Sequence, residues 1–291
     1  MYPPRFDYLA PTTIEEVVEA LGERAGDAKV MAGGQSLIPV LKLRIASVGT
    51  IVDLNGVAGL DGIVDADGEL RIGALVRHAQ AERSPVLTKR YGLLGETARL
   101  VADPLVRNRG TVCGSLAHAD PQGDWGSALL AARGSVVVRG SGGERTIPVE
   151  EIAIGPFMTT LQPDEVIVEV RVPDPGPRTG GSYLKLERKV GDFATAAVGV
   201  QVTLENGHVG QVGIGLTGVG ATNVRASAAE DALRGAAPTD DAIREAAELA
   251  ASAAEPQSDH RGSADYKRNV VRVFCERGLR TAISAAQAGE E

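Results

Sequence analysis

The chain has 291 residues, of which 43% are hydrophobic and 23% charged; this suits about two globular domains and excludes a disordered tail or a coiled coil. Thirty Lys and Arg against 38 Asp and Glu leave a net charge of −8, which argues against a nucleic-acid binder held by phosphate contacts. The two cysteines, Cys113 and Cys275, are too few to ligate an iron–sulfur cluster or a structural zinc by themselves. Met1-Tyr2-Pro3-Pro4-Arg5-Phe6-Asp7 lacks the apolar core of a signal peptide, and no run of about 18 apolar residues marks a membrane span, so a cytoplasmic location is expected.

Taken in chain order, the first element is a helix opened by Thr12 or Thr13, because Thr12…Glu15 and Thr13…Glu16 both read as capping boxes. Ile14, Val17, Val18 and Leu21 carry its buried face, and Gly22 and Gly26 are expected to stop it. Strands follow at Lys29–Met31, Thr50–Leu54 and Leu70–Gly73, with helices over Val76–Arg83 and Gly92–Ala102. Asp103–Asp124 mixes glycine with polar residues and reads as a long functional loop. A helix over Trp125–Ala132 and strands at Ser135–Arg139 and Val166–Val172 complete the first half. Pro173-Asp174-Pro175-Gly176-Pro177 is the expected domain boundary. Beyond it come strands at Ser182–Arg188, Ala194–Leu204 and Val209–Thr217, the last two joined through Asn206-Gly207 as a hairpin. Helices are expected over Ala226–Leu233, Asp240–Ala254 and Asp265–Ala285, which makes the second half α+β.

A literal G-x-G-x-x-G stands at Gly213, Gly215 and Gly218. A dinucleotide fingerprint must lie between a strand and a helix of a βαβ unit; here the glycines fall on a hairpin strand, where thinning for close packing explains them. The four histidines, His78, His118, His208 and His260, are too scattered to suggest a metal site. Two glycine turns remain. Ala32-Gly33-Gly34-Gln35-Ser36-Leu37 directly follows a strand, and is either an anion-binding nest of backbone N–H groups or an ordinary turn. Arg109-Gly110-Thr111-Val112-Cys113-Gly114-Ser115 either passes close under a phosphate, with Thr111 and Ser115 donating and Asp124 accepting from sugar hydroxyls, or is a surface loop.

Together these segments resemble the FAD-binding medium subunit of the molybdenum hydroxylases, the xanthine dehydrogenase group, and within it most closely the aerobic carbon monoxide dehydrogenases. The resemblance is carried by Ala32–Pro39 with Leu41-Lys42-Leu43-Arg44, by Arg71-Ile72-Gly73-Ala74, by Asp103–Thr111, by Leu116–Pro121 with Asp124, and by Tyr183–Lys189 with Gly191–Ala196. It spans nearly the whole chain, in order and spacing. It implies an α+β fold: a two-lobed PCMH-type FAD-binding domain over 1–176, its lobes split near 55–60, then a C-terminal α+β domain over 177–291 with a three-stranded antiparallel sheet and helices. The implied cofactor contacts are Lys29, Val30 and Met31, then Ala32, Gly33, Gly34, Gln35, Ser36 and Leu37 as the pyrophosphate turn, and Thr111, Val112, Cys113, Gly114 and Ser115 as the second turn. Asp124 would bind cofactor hydroxyls, Ile167 would pack on the ring system, and Lys185 would approach the flavin as a cation or stand as a solvated strand charge. Phe193 would shield the flavin or fill a core position. The chain departs from the family at Cys113, usually glycine, at Ser115, often Asn or Asp, and at Gln35, where carbon monoxide dehydrogenases have histidine. Cys113 is either an oxidation-sensitive thiol or an inert filler.

The function implied is an oxidoreductase subunit with no catalytic or metal-ligating residue of its own. An iron–sulfur small subunit with [2Fe–2S] clusters would deliver electrons to FAD here from a large subunit carrying the molybdopterin cofactor. An external acceptor (quinone, cytochrome or NAD) would take them onward. Carbon monoxide leads as substrate, ahead of purines, N-heterocycles or acyl-CoA; the assembly would be a dimer of heterotrimers, cytoplasmic or peripheral to the inner face of the membrane. A stand-alone flavin oxidase and a scaffold that has lost its cofactor are the alternatives from other classes.

Overall fold

Thr13 starts the amino-terminal lobe in the way its sequence dictates. In the computed structural model, which describes residues 2–24 and 26–288, strand β1 (Asp7–Leu9) is followed by helix α1 (Ile14–Glu23). The Thr13 hydroxyl accepts from the Glu16 N–H, and the Glu16 carboxylate takes the Thr12 N–H at 2.7 Å, so the first helical turn is capped from both sides. Gly22 lies inside α1 rather than ending it; the stop comes at Arg24, whose N–H folds back on the Leu21 carbonyl. Strand β2 (Ala28–Met31), the short helix α2 (Leu37–Lys42) and strand β3 (Thr50–Asp53) complete a parallel sheet in the order β1-β3-β2. β1, α2 and the later short elements were not legible as such, because pieces of three to six residues carry too few periodic positions.

After a 3₁₀ turn at Leu54–Gly56 the chain enters a second, antiparallel sheet through β4 (Ile63–Ala66) and β5 (Glu69–Gly73). Helices α3 (His78–Arg83), α4 (Pro85–Lys89) and α5 (Gly92–Leu100) follow. The segment expected to be a structureless loop instead holds two short helices, α6 (Pro104–Arg107) and α7 (Val112–His118). Each is capped by its own side chain: Asp103 accepts from Val106 N–H and Thr111 from Gly114 N–H. Helix α8 (Asp124–Ala131) then buries Trp125 completely. Strands β6 (Ser135–Gly140) and β7 (Gly143–Pro148), helix α9 (Val149–Ile152), the small hairpin β8 (Ala153–Gly155) and β9 (Met158–Thr159), and β10 (Val166–Pro173) close the lobe. The sheet runs β4-β5-β10-β6-β7, with β10 central. Val168 bulges out of the ladder between Ile167 and Glu169.

The carboxy-terminal half is a four-stranded antiparallel sheet, β11 (Thr179–Leu186), β12 (Ala196–Glu205), β13 (His208–Thr217) and the short β14 (Val224–Arg225), which adds one strand to the three expected. β12 and β13 are joined by the two-residue Asn206-Gly207 turn, both residues in the left-handed region, φ 52° and 78°. Helices α10 (Ser227–Leu233), α11 (Asp240–Ala253) and α12 (Ala264–Ala288) cover one face of this sheet.

The opposite face belongs to the first half. Tyr183, Ala194 and Ala197 join the core that contains Leu93, Leu94, Trp125 and Ala128. Gly213 and Gly215 make this contact possible: a Cβ on either would overlap the backbone carbonyl oxygen of Ala131 or Ser127 in α8. The G-x-G-x-x-G is therefore a packing stripe on an antiparallel strand and lies in no βαβ unit. Gly215→Val should force α8 off the sheet and lower unfolding stability by about 3 kcal/mol, since rigid backbone cannot yield as side chains do; the urea midpoint reads this out.

Candidate functional site

The carboxyl end of β2 and the start of α7 face each other across a cleft of about 650 Å³, within the usual range for small-molecule and cofactor sites. On the β2 side the chain turns at once through Ala32–Ser36, with Gly34 at φ 70°. Gly33 lies so close to the second turn that a Cβ would overlap the Arg109 carbonyl oxygen and sit 2.7 Å from Gly110 Cα. Among the described residues, the backbone N–H groups of Gly33, Gly34, Gln35 and Ser36 donate to no protein acceptor. A wall with four donors free of protein partners is what an anion needs.

The second turn is wired differently. Val112 N–H donates to Val76, Gly114 N–H to the Thr111 hydroxyl, and Ser115 N–H to the Thr111 carbonyl. The Ser115 hydroxyl also donates to the Thr111 carbonyl, at 3.3 Å. Thr111 is thus a helix cap, 3% exposed. Cys113 is buried with its thiol against the Ile72 carbonyl, and burial pushes its pKa up, so the thiol is an inert filler.

A polar bridge behind the cleft fixes the spacing of the two turns. Asn55 donates to the Ala32 carbonyl at 2.9 Å; Arg77 donates both to Asn55 Oδ1 and to the Arg109 carbonyl. Asp53 holds Asn55 through its backbone N–H and is itself held by the Tyr8 hydroxyl at 2.5 Å. Burial works against the Asp53 charge, but the hydrogen bonds from Tyr8 and Asn55 win and keep its carboxyl below the ordinary range.

His78 lines the same cleft and is 3% exposed. Trp125 Nε1–H donates to its Nδ1 at 3.0 Å, and the two ring planes lie 23° apart. Burial, with Arg107 and Arg77 nearby, drives its pKa down to about 4. The imidazole is therefore neutral, and because Nδ1 is an acceptor its proton resides on Nε2. Sequence reasoning weighed His78 only as a metal ligand; its pairing with Trp125, 47 residues on, leaves no sequence signal. Among the described residues no group of three His, Cys, Asp or Glu is placed to hold a metal.

The cleft gathers Lys29 to Leu37, Thr111, Cys113, Gly114, Ser115 and Ile167, the last placed just before the Val168 bulge. It does not gather Val112, Asp124 or Lys185. Val112 is fully buried in the core. Asp124 and Lys185 are joined to each other: Lys185 Nζ donates to Asp124 Oδ2 and to the Leu100 carbonyl, both at 2.9 Å, and Tyr183 OH donates to Asp124 Oδ1 at 2.9 Å. The Lys185 side chain is 1% exposed, so it is no solvated strand charge, and Glu187 lies 3.5 Å from its ammonium. Both Asp124 oxygens accept from protein donors. Phe193 is 49% exposed, not a core residue, on a loop tied down by Arg261.

Residues 4–175 match the FAD binding domain in molybdopterin dehydrogenase, and residues 181–282 match the CO dehydrogenase flavoprotein C-terminal domain. The chain thus belongs to the family of FAD-binding flavoproteins of the molybdopterin dehydrogenases. It is 40% identical to the carbon monoxide dehydrogenase medium chain of Hydrogenophaga pseudoflava, over 97% of this chain and 98% of that one. It is 37% identical to subunit alpha of the 6-hydroxypseudooxynicotine dehydrogenase complex of Paenarthrobacter nicotinovorans, over 100% and 99%. The structure of the Hydrogenophaga pseudoflava carbon monoxide dehydrogenase that lacks the Mo-pyranopterin moiety matches with a TM-score of 0.95 at 42% identity, over 98% of this chain and 99% of that chain. No helix among the described residues is long and apolar enough to cross a membrane.

The neutral state of His78 has a consequence in acid. An unfolded His78 takes up a proton near pH 6.5, whereas the folded one resists until about 4. Its contribution is fully present above pH 6.5 and is lost as pH falls toward 4, by about 3 kcal/mol. His78→Asn should flatten the pH dependence of the unfolding free energy over that window, measured by urea titration at a series of pH values.

Proposed function

We propose that the chain carries FAD across its two glycine turns and serves as the electron-transfer subunit of a molybdenum-containing carbon monoxide dehydrogenase. The observation that carries the FAD reading is the row of four N–H groups from Gly33 to Ser36 without protein partners, on the wall of a cleft large enough for a cofactor. They suit the two negative phosphates of a dinucleotide, and Lys29 at the rim adds a positive charge. Ile167 and the apolar residues beside it supply a surface for a flat ring. FAD, when bound, supplies the redox chemistry, accepting electrons from iron–sulfur clusters and passing them to an external acceptor. This chain's residues bind and orient it; none is assigned as acid, base or nucleophile.

The reading places the clusters in a small subunit and the molybdopterin cofactor in a large one, with the complex a dimer of heterotrimers. Its acceptor is a quinone, cytochrome or NAD, and its location cytoplasmic or at the inner face of the membrane. Relatives named as chains and subunits of dehydrogenase complexes support the multi-subunit arrangement. A second reading is favoured by one specific observation: the 6-hydroxypseudooxynicotine dehydrogenase subunit is nearly as similar as the carbon monoxide dehydrogenase chain. Substrate is selected in the large subunit, so an N-heterocycle hydroxylase would use the same flavoprotein.

Mild purification from the native cells should yield this chain with two companions, molybdenum, and flavin plus iron–sulfur absorption that carbon monoxide bleaches. Bleaching by an N-heterocycle instead would establish the second reading, and a solitary yellow protein without iron or molybdenum would refute both. Gly34→Val should lose most of its FAD, because the left-handed backbone at Gly34 opposes a branched side chain and its Cβ would press within 3.3 Å of Ile38. Full flavin content in that variant would remove the first turn from the pyrophosphate site.

A further inference from the structure

His78 stands where the two glycine turns meet. Its backbone N–H donates to the Gly110 carbonyl at 3.0 Å, and the Cδ2–Nε2 edge of its ring lies 2.8 Å from where a Gly110 Cβ would be. Gly110 in turn touches Gly33, the first residue of the row of free N–H groups. The ring is held from behind, because Nδ1 accepts from Trp125, whose ring plane lies 23° from its own. The proton is therefore on Nε2, and among the described residues no hydrogen bond carries it to a protein acceptor. A side chain 3% exposed, on the wall of the cleft, with one nitrogen satisfied by protein and the other not, leaves a donor available to a ligand there.

We propose that His78 donates its Nε2–H to a phosphate oxygen of the bound dinucleotide, as a cofactor-binding residue beside the Gly33–Ser36 turn. The inference rests on the FAD reading above. Glycine at position 110 is part of the device, since any side chain there would occupy the space beside the imidazole edge. Arg77 and Arg107, the cations that help keep the ring neutral, also make the surroundings favourable to a phosphate. Trp125 fixes the tautomer and the ring plane, and so acts as a positioning residue.

Two substitutions separate binding from packing because they mimic opposite nitrogens of the ring. His78→Asn can still accept from Trp125 Nε1 but is too short to donate into the cleft. His78→Gln extends an amide donor toward the Nε2 position but gives up the acceptor for Trp125. The full chain, freed of flavin, is titrated with FAD by fluorescence quenching, and then with ADP in competition. A hydrogen bond to a charged acceptor corresponds to roughly ten- to a hundredfold in affinity. The expected result is that H78N weakens FAD and ADP in parallel by at least about tenfold, H78Q stays near wild type, and the melting temperature of the flavin-free H78N chain is unchanged at neutral pH, above the window in which His78 titrates. The inference is overturned if H78N binds as wild type does, or if H78Q is the damaged variant, since the histidine is then there for Trp125. A wild-type chain that takes up neither FAD nor ADP overturns the FAD reading and this inference with it. A wild type that binds both, beside an unaffected H78N, overturns the inference alone.

Discussion

The contact between Gly33 and the Arg109–Gly110 peptide is the constraint around which the cleft is built. It brings the end of a parallel strand in one lobe against the start of a helix in the other, at a separation that no side chain at position 33 would allow. Both turns can line one cleft only because of this approach. The bridge from Asn55 through Arg77 then sets the spacing by hydrogen bonds to the carbonyls of Ala32 and Arg109. Those carbonyls are tied back, so the N–H groups of the first turn are left for the cleft. In the Ala32–Gly33 peptide the carbonyl edge is held by Asn55, while the Gly33 N–H has no protein acceptor among the described residues.

How much of this was legible in the sequence depended on whether the information was local. The Thr13 cap, the Asn206-Gly207 hairpin and the apolar stripe of α1 rest on neighbours within a few residues, and each appears where the pattern put it. Asp103–Asp124 was misread because α6 and α7 span only four and seven residues; their caps, Asp103 and Thr111, were visible, but the helices are too short to display a period. β7 was missed because its exposed residues give no alternation to read. The Gly33-Gly34 turn was recognisable because consecutive glycines after a strand have few other uses. The Asn55–Arg77 bridge and the His78–Trp125 pair join residues 22 and 47 apart, and nothing in one sequence says that these residues meet.

The same distinction separates the two kinds of predicted site residue. Positions assigned through the glycine turns fall on the cleft, Val112 excepted, and in the first turn the backbone N–H groups have no protein partner among the described residues. Asp124 and Lys185, assigned as isolated charges, fall on each other. A carboxylate at the first turn of a helix and an ammonium on a strand carry long-range fields, so their partner is decided by which surfaces dock.

That pair bears on how independent the two halves are. Asp124 belongs to α8, the Leu100 carbonyl to α5 and Lys185 to β11, so one ammonium ties the carboxy-terminal sheet to two helices of the cofactor-binding half. A buried ion pair adds little net stability over a well-packed apolar substitute, yet loss of either partner alone is costly. It therefore selects one docking geometry more than it strengthens the docking. The glycine stripe at Gly213 and Gly215 acts in the same direction, since α8 can approach the sheet only where a Cβ is missing. Trp125, on the same helix as Asp124, in turn supports His78 at the cleft wall. Helix α8 connects the two: its first turn is pinned by Lys185 and its next residue orients the imidazole, so the register of the carboxy-terminal sheet on α8 is transmitted to the cleft although no residue of that sheet lines it.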